Sequence, residues 1–197
     1  MTWERETKFF FGLGRRAKKL RLTKIQRIEN LQLYKEYAQE RQKFFDKALK
    51  NDVPFHTVGQ TRYSSGEVKT QEILFGNPLL SDTVPEINEH YLFHGTSHKN
   101  IESVLSQGLD NRLAGPLAKF GAGVYAAESS TKADEYTDDS DVGLKMLLVR
   151  ICLGDVFVCN RRTNFSRAPC KSCSKDRCTC NHGFYDSVMA DGESRFR

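Results

Sequence analysis

Apolar side chains recur at Ile25, Ile28, Leu31, Tyr37, Phe44, Ala48 and Leu49, close to the 3.6-residue period of an amphipathic helix. Thr23, with Gln26 three residues on, makes a capping-box pair ahead of that run. The pattern therefore predicts one long helix over residues 23–50. Residues 1–22 are basic, contain Gly12 and Gly14, and read as an arm. Residues 51–90 carry Pro54, Gly59, Gly66, Gly76, Pro78 and Pro85, the marks of a long irregular connection. Residues 91–94 predict a short strand. Ser97 is placed to cap a helix over 99–107 whose Ile101, Val104 and Leu105 face inward. Gly108 is placed to end that helix in the left-handed conformation. A loop over 109–122 leads to a short strand over 124–127. Ser129 or Ser130 then caps a short helix through Tyr136, followed by an acidic loop at 138–141. Residues 144–153 predict a buried strand, and Gly154-Asp155 a hairpin turn into a strand over 156–159. Short strands broken by short helices predict an α+β fold. The regular crossovers of a doubly wound parallel sheet are missing.

Composition narrows the class. Of 197 residues, 39% are hydrophobic and 11% aromatic, enough for a real core, which excludes disorder throughout. No apolar run approaches the roughly 18 residues that span a bilayer, so no membrane partner is expected. The opening Met1-Thr2-Trp3-Glu4-Arg5-Glu6 has no apolar stretch of the secretory kind, so an intracellular location, nucleus or cytoplasm, is expected. No repeat of solenoid period is present.

The formal charge of +5 is unevenly placed. Residues 1–50 hold 14 Lys/Arg against 6 Asp/Glu, and residues 51–197 hold 16 against 19. The basic excess belongs to the arm and first helix. Arg15, Arg16, Lys18, Lys19 and Arg21 fit contact with nucleic acid, an import signal or a solvated face. Nothing reads as sequence-specific DNA recognition.

Two segments could carry chemistry. Phe93-His94-Gly95-Thr96-Ser97 puts an imidazole, a bare backbone and two hydroxyls where a strand meets a helix. Taken alone, it fits a buried histidine bonded to a carbonyl, with Thr or Ser as a cap. Phe120-Gly121-Ala122-Gly123-Val124-Tyr125 puts two glycines before a tyrosine-bearing strand. Taken alone, it fits a bulged strand with a core tyrosine. It is not a dinucleotide fingerprint, because it precedes a strand and lacks the third glycine.

Taken together, these segments resemble the catalytic domain of the poly(ADP-ribose) polymerase superfamily, the diphtheria-toxin-like ADP-ribosyltransferases. The resemblance runs from Leu22 to Arg197. It rests on Thr23 to Asn30 with Leu33, Tyr34 and Tyr37, on Asn88 to Thr96, on Gly108 to Arg112, and on Phe120 to Tyr125 with Lys132 and Tyr136. It implies a split, mixed and antiparallel β-core with short helices. Residues 51–197 would form the catalytic domain, with a Cys-rich insertion at 160–183. The implied activity moves ADP-ribose from NAD to protein acceptors, singly or as a chain, with nicotinamide released.

The resemblance also assigns roles. His94 would bond the adenosine ribose, and Gly95 would clamp the nicotinamide carboxamide through its backbone. Thr96 would help hold the ribose. Tyr125 would pack beside the nicotinamide, making it and His94 the catalytic pair present. Tyr136 would stack on the cationic ring, whose charge suits an aromatic face.

Two positions depart from the family pattern. A serine usually lies eight residues after the motif tyrosine; here that residue is Ala133. Loss of its hydrogen bond, worth about 1 kcal/mol net, implies weaker NAD binding. The family's catalytic glutamate lies on a strand beyond residues 186–193, and Glu193, in an Asp-Gly-Glu-Ser setting, is a poor substitute. The expectation is a fragment of a longer chain. An NAD- or ADP-ribose-binding module without turnover is the alternative, and nucleic-acid binding by the arm and Cys loop is a third reading.

Cys170, Cys173, Cys178 and Cys180 lie within eleven residues, with His182 adjacent. In a reducing compartment such thiols fit either a tetrahedral structural zinc site or a reduced, exposed loop. Cys152 and Cys159 fall in predicted strands and read as core residues.

Overall fold

A computed structural model describes residues 2–7, 17–50, 55, 58, 77, 82–113, 118–138, 143–159 and 161–190. The elements are strands β1 (Thr2–Thr7) and β2 (Ala17–Lys24), helix α1 (Leu31–Lys50), strand β3 (Glu89–Gly95), helices α2 (His98–Gln107) and α3 (Ser130–Asp134), and strands β4 (Leu144–Cys152), β5 (Val156–Cys159) and β6 (Ser187–Ala190). Single 3₁₀ turns lie at Pro85–Ile87 and Asn111–Leu113. The fold is α+β, as the pattern predicts. No helix among the described residues is long and apolar enough to cross a membrane.

The chain divides into two compact units. One comprises Met1–Tyr34, Tyr91–Leu109 and Tyr125–Arg150, the other Lys35–His90, Asp110–Val124 and Ile151–Arg197. A four-stranded sheet runs in the order β2-β1-β4-β3, with β1 antiparallel to both β2 and β4. In the first unit Phe93, Ala133, Leu144 and Met146 form the apolar cluster, with Ala127 and Leu148 packed against it. Burying each large member is worth roughly 1.5–3 kcal/mol.

The arm expected over residues 1–22 contains two strands, in a register from Thr2 opposite Lys24 to Thr7 opposite Ala17. Lys18, Lys19 and Arg21 therefore lie on a paired strand, while Arg15 and Arg16 fall outside the described residues. The helix expected from residue 23 begins at Leu31, because β2 holds Thr23 and Lys24 in the ladder. Asn30 caps it instead. Its Oδ1 accepts from the Leu33 N–H at 3.1 Å, and its Nδ2 donates to the Leu105 carbonyl at 3.1 Å. Ile25 and Ile28, expected on the buried face of a helix, are 69% and 50% exposed.

In the second unit Tyr37 and Arg41, one turn apart on α1, converge on Glu89, which is 1% exposed. The Tyr37 hydroxyl donates to Glu89 Oε1. Arg41 Nη2 donates to Oε2 at 3.1 Å, and the Val84 N–H donates to the same oxygen at 2.7 Å. Burial, with the neighbouring Cys152 and Glu89, pushes the Tyr37 hydroxyl far above its ordinary pKa, so it stays a donor. Next to it Asn88, fully buried at φ 50°, donates from Nδ2 to the Gly154 carbonyl at 2.8 Å and accepts from the Val58 N–H at 3.0 Å. Phe44 meets Phe55 edge-on at 6.5 Å.

The expected hairpin at Gly154-Asp155 does not form. β5 pairs in parallel with β6 in a separate two-stranded sheet. The reason is local bonding. The Gly154 N–H is taken by the Ile87 carbonyl at 3.1 Å, and the Asp155 N–H by Asp186 Oδ2 at 2.9 Å. The Asp186 N–H returns to the Asp155 carbonyl at 2.8 Å. The strand expected over 124–127 is likewise reduced to one bridge, between Ala127 and Phe93.

Glu89→Gln leaves the Arg41 guanidinium without its counter-charge, and should lower unfolding stability by about 3 kcal/mol. Tyr37→Phe, which removes one hydrogen bond, should cost about 1 kcal/mol. Urea titration of both variants reads the difference. Equal midpoints for Glu89→Gln and the parent would show that the buried carboxylate is not what holds α1.

Candidate active site and thiol cluster

The apolar run at Leu92 and Phe93 buries β3 and delivers the next residues to its end. Phe93 and Ala127 exchange both backbone hydrogen bonds at 2.8 Å, which lays residues 125–127 beside 93–95. His94 Nδ1 lies 2.7 Å from the Tyr125 carbonyl oxygen. A carbonyl only accepts, so Nδ1 carries the proton, and in the neutral ring Nε2 is left as an acceptor. Of the two readings of His94 weighed from sequence, the bond to a carbonyl is present, and it also fixes the ring.

Gly95 is where two backbones meet. A Cβ here would lie 1.8 Å from the Ala133 carbonyl oxygen and 2.7 Å from its carbon. Only glycine permits this approach. Ala133 itself is 3% exposed, its methyl within the apolar cluster, so this position serves the core. Its carbonyl also accepts from the Tyr136 N–H at 3.1 Å. The Tyr136 ring is 47% exposed, with Lys132 Nζ 5.8 Å from its centroid. Thr96 Oγ1 accepts from Asn100 Nδ2 at 3.1 Å. The structure thus holds His94, Gly95, Tyr125 and Tyr136, the last just beyond the end of α3, within the first unit. Glu193 falls outside the described residues.

α2 is capped from a distance. Ser97 occupies the N-cap position but makes no side-chain cap bond. Asp138 Oδ2 accepts from the His98 N–H at 2.6 Å instead. Sequence reading placed Asp138 in an acidic loop and missed this role, because nothing local marks a cap 40 residues away. At the other end Gly108 takes φ 82° and ψ −174°: the positive φ is as expected, but the conformation is more extended than the left-handed helical well. α3 ends at Asp134, short of the expected Tyr136.

In the second unit Gly121, at φ 103°, sits against the Phe165 backbone, where a Cβ would come within 2.1 Å of the carbonyl oxygen. The Ala122 N–H donates to that oxygen at 2.8 Å, and Thr163 Oγ1 donates to the Phe120 carbonyl at 2.8 Å. Gly123 has open space around it. The first glycine of the pair is therefore the one the backbone requires.

The same unit holds the cysteines. The Sγ atoms of Cys170, Cys173, Cys178 and Cys180 all lie within 4.8 Å of one another. Cys170 has no exposed surface, while the other three are partly exposed. The N–H groups of Cys173 and Ser172 point at the Cys170 sulfur and draw its thiol down to about 7. Burial pushes the Cys178 thiol up to about 12. His182 is exposed and stands outside the group. Cys159 is buried, as expected, and its thiol is raised by burial. Cys152 is only partly buried, its sulfur 3.4 Å from the Tyr37 oxygen.

The family model of the poly(ADP-ribose) polymerase catalytic domain matches residues 12–183. Mouse protein mono-ADP-ribosyltransferase PARP12 is 32% identical over 105 residues, covering 53% of this chain and 14% of the relative. Mouse protein mono-ADP-ribosyltransferase PARP11 is 31% identical over 129 residues, covering 55% and 37%. The poly [ADP-ribose] polymerase tankyrase of Caenorhabditis elegans is 32% identical over 102 residues, covering 46% and 4%. The chain thus spans little more than a third, or far less, of each relative's length.

Gly95→Ala should drive the Ala133 carbonyl away and unseat α3 from the end of β3. We expect a lower melting temperature together with faster amide exchange over residues 130–137; unaltered exchange there would sink the close-approach reading. Asp138→Asn tests the cap. Bonds from Ser97 and the His98 N–H hold the Asp138 carboxyl below its ordinary value. Its contribution is therefore full above the unfolded carboxyl pKa near about 3.9, and is lost as pH falls through the depressed folded value. The variant should melt earlier at neutral pH, with the gap closing in acid; a gap that persists unchanged in acid would rule out the charged cap.

Proposed function

The chain belongs to the poly(ADP-ribose) polymerase catalytic-domain family, and on that premise we propose that it is an NAD-dependent ADP-ribosyltransferase acting on protein acceptors. The observation that carries the reading is the His94–Gly95 pair at the end of β3. It presents a ring with a fixed tautomer and, next to it, a backbone stripped of side chain. Nε2 of His94 accepts from an adenosine-ribose hydroxyl. The Gly95 N–H and C=O pair with the nicotinamide carboxamide, which offers one acceptor and two donors. The exposed face of Tyr136 stacks on the nicotinamide ring, displacing Lys132 from above it. Tyr125 packs at the side, and Thr96, held by Asn100, steadies the ribose.

Breaking the nicotinamide–ribose bond develops oxocarbenium character, as in glycoside hydrolysis. These residues contribute by holding the leaving group in one pose while the acceptor side chain approaches. Positive charge on the ribose calls for a carboxylate, and no described residue is assigned that part. Two of the relatives are named mono-ADP-ribosyltransferases, and we read the product as single ADP-ribose units. A second reading, a module that binds NAD without turning it over, is favoured by the methyl of Ala133 where the family carries a hydroxyl.

The test uses NAD labelled on adenine. Transfer to protein should appear as discrete bands, with matching release of nicotinamide. His94→Ala and Tyr136→Ala should each lower the transfer rate by about a hundredfold. NAD at a hundred times its Kd should stabilise the parent by about 2.7 kcal/mol, seen as a melting shift that His94→Ala abolishes. A melting shift without nicotinamide release selects the binding module. Transfer undiminished by His94→Ala removes the site from consideration.

A further inference from the structure

Residues 161–190 are ordered around very little apolar burial. Among the described residues of this stretch only Pro169 and Cys170 are buried. Such a segment needs a staple other than a hydrophobic core. Its backbone is nevertheless closely tied around the thiols. The Cys170 N–H donates to the Lys175 carbonyl at 2.8 Å, and the Ser174 N–H returns to the Cys170 carbonyl at 2.9 Å. Ser174 is held at φ 54°, a conformation uncommon for a residue with a Cβ. Cys170 bridges to Phe184 on the returning chain, with the Lys171 N–H on the Gly183 carbonyl at 3.1 Å and the Tyr185 N–H on the Pro169 carbonyl at 3.0 Å.

From this clustering we infer a structural zinc site, formed by Cys170, Cys173, Cys178 and Cys180, that pins the crossing from β5 to β6. The donor set selects the metal class. Four sulfurs and no oxygen exclude magnesium and calcium and suit a tetrahedral thiophilic ion. Zinc–sulfur bonds of about 2.3 Å put the sulfurs of a regular tetrahedron about 3.8 Å apart. The present spread, up to 4.8 Å, needs a contraction of only about 1 Å at most. The ligands come as two short pairs, Cys-x2-Cys and Cys-x-Cys, joined by a four-residue turn. The N–H groups of Ser172 and Cys173 already point at the first sulfur, as a thiolate bound to metal requires.

Charge supports the same assignment. A zinc ion with four thiolates carries a net charge of −2. Arg161, Arg162, Arg167, Lys171, Lys175 and Arg177 surround it in sequence, against Asp176 alone. Arg167 is fixed close by, its guanidinium 3.7 Å from the Phe184 centroid and its Nε donating to the Asp176 carbonyl at 2.8 Å. None of its four ligands is a residue given to NAD, so it stands whether or not transfer is observed.

The full chain, purified without chelator, should carry about one equivalent of zinc by plasma mass spectrometry. Exchange with cobalt should give the visible bands of a tetrahedral centre and strong thiolate-to-cobalt charge transfer. Cys173→Ser and Cys178→Ser should lose both signals, while Cys152→Ser, outside the cluster, keeps them. Should the cluster variants fail to fold, alkylation of the parent decides. The four thiols should resist iodoacetamide until a strong zinc chelator is added, and the chelator should lower the melting temperature. Iron in place of zinc, disulfides found by mass in freshly purified protein, or four freely alkylated thiols with no metal would each overturn the assignment.

Discussion

Gly95 sets the terms for the first unit. The Ala133 carbonyl oxygen occupies the space a side chain would need, 1.8 Å from where a Cβ would stand. That contact fixes how far α3 can slide along the end of β3. Ala133 can then bury its methyl with Phe93, Leu144 and Met146 while Tyr136, three residues on, stays half in solvent. The bridge between Phe93 and Ala127 brings the Tyr125 carbonyl to His94. One residue without a side chain thus lets core packing and the His94 and Tyr136 side chains share a single strand end. A larger residue at 95 would force a choice between them.

The second unit is organised by polar groups more than by apolar area. Glu89 and Asn88 are fully buried, and each has its bonds met from three directions or by distant backbone. A buried carboxylate is costly unless it is paired and hydrogen-bonded. Here Arg41, Tyr37 and the Val84 N–H meet that requirement together. The consequence is specificity of placement: Tyr37 and Arg41 reach one acceptor only if α1 has the correct rotation and height. Apolar contact in this unit comes from ring pairs, Phe44 with Phe55 and Phe157 with Phe165 and Tyr185.

What could be read from the sequence was local. The apolar run at 91–94, the period at 99–107 and the glycine after it, and the apolar stretch from 144 gave β3, α2 and β4 close to their observed ends. The His94 segment, read by itself, fits a carbonyl-bonded histidine with a capping hydroxyl; only its resemblance together with residues 120–125 marks it as a candidate site. What escaped was set by distant partners. β1 and β2 carry alternating charges that look like a solvated arm until they are paired. Thr23 and Gln26 satisfy the capping pattern, yet Thr23 belongs to a ladder, and Asn30 caps the helix because its amide also reaches Leu105. Gly154-Asp155 has hairpin chemistry, but Asp186, 31 residues on, takes the Asp155 N–H. Asp138 is invisible as a cap for the same reason.

The basic residues near the cysteines show how one sequence feature changes meaning once placed. Read as a string, six cations against one acid in residues 161–182 resemble a surface for nucleic acid. Placed, several have partners. Lys171 pairs with Asp155 and lies 5.9 Å from the Tyr185 centroid, and Arg167 is stacked and bonded. Asp176 is turned inward to accept from the Ser166 N–H and hydroxyl at 2.7 and 2.8 Å, so it organises the turn. Four thiols brought this close are stable as neutral groups or as thiolates around a cation, and a thiolate centre attracts positive neighbours. With zinc bound at the four thiolates, the neighbouring cations balance its charge, and their excess is then no independent sign of an outside partner. A surface built for a polyanion would leave its cations free, whereas here Arg167 is directed onto the Phe184 ring and Lys171 onto the Asp155 carboxylate and the Tyr185 ring.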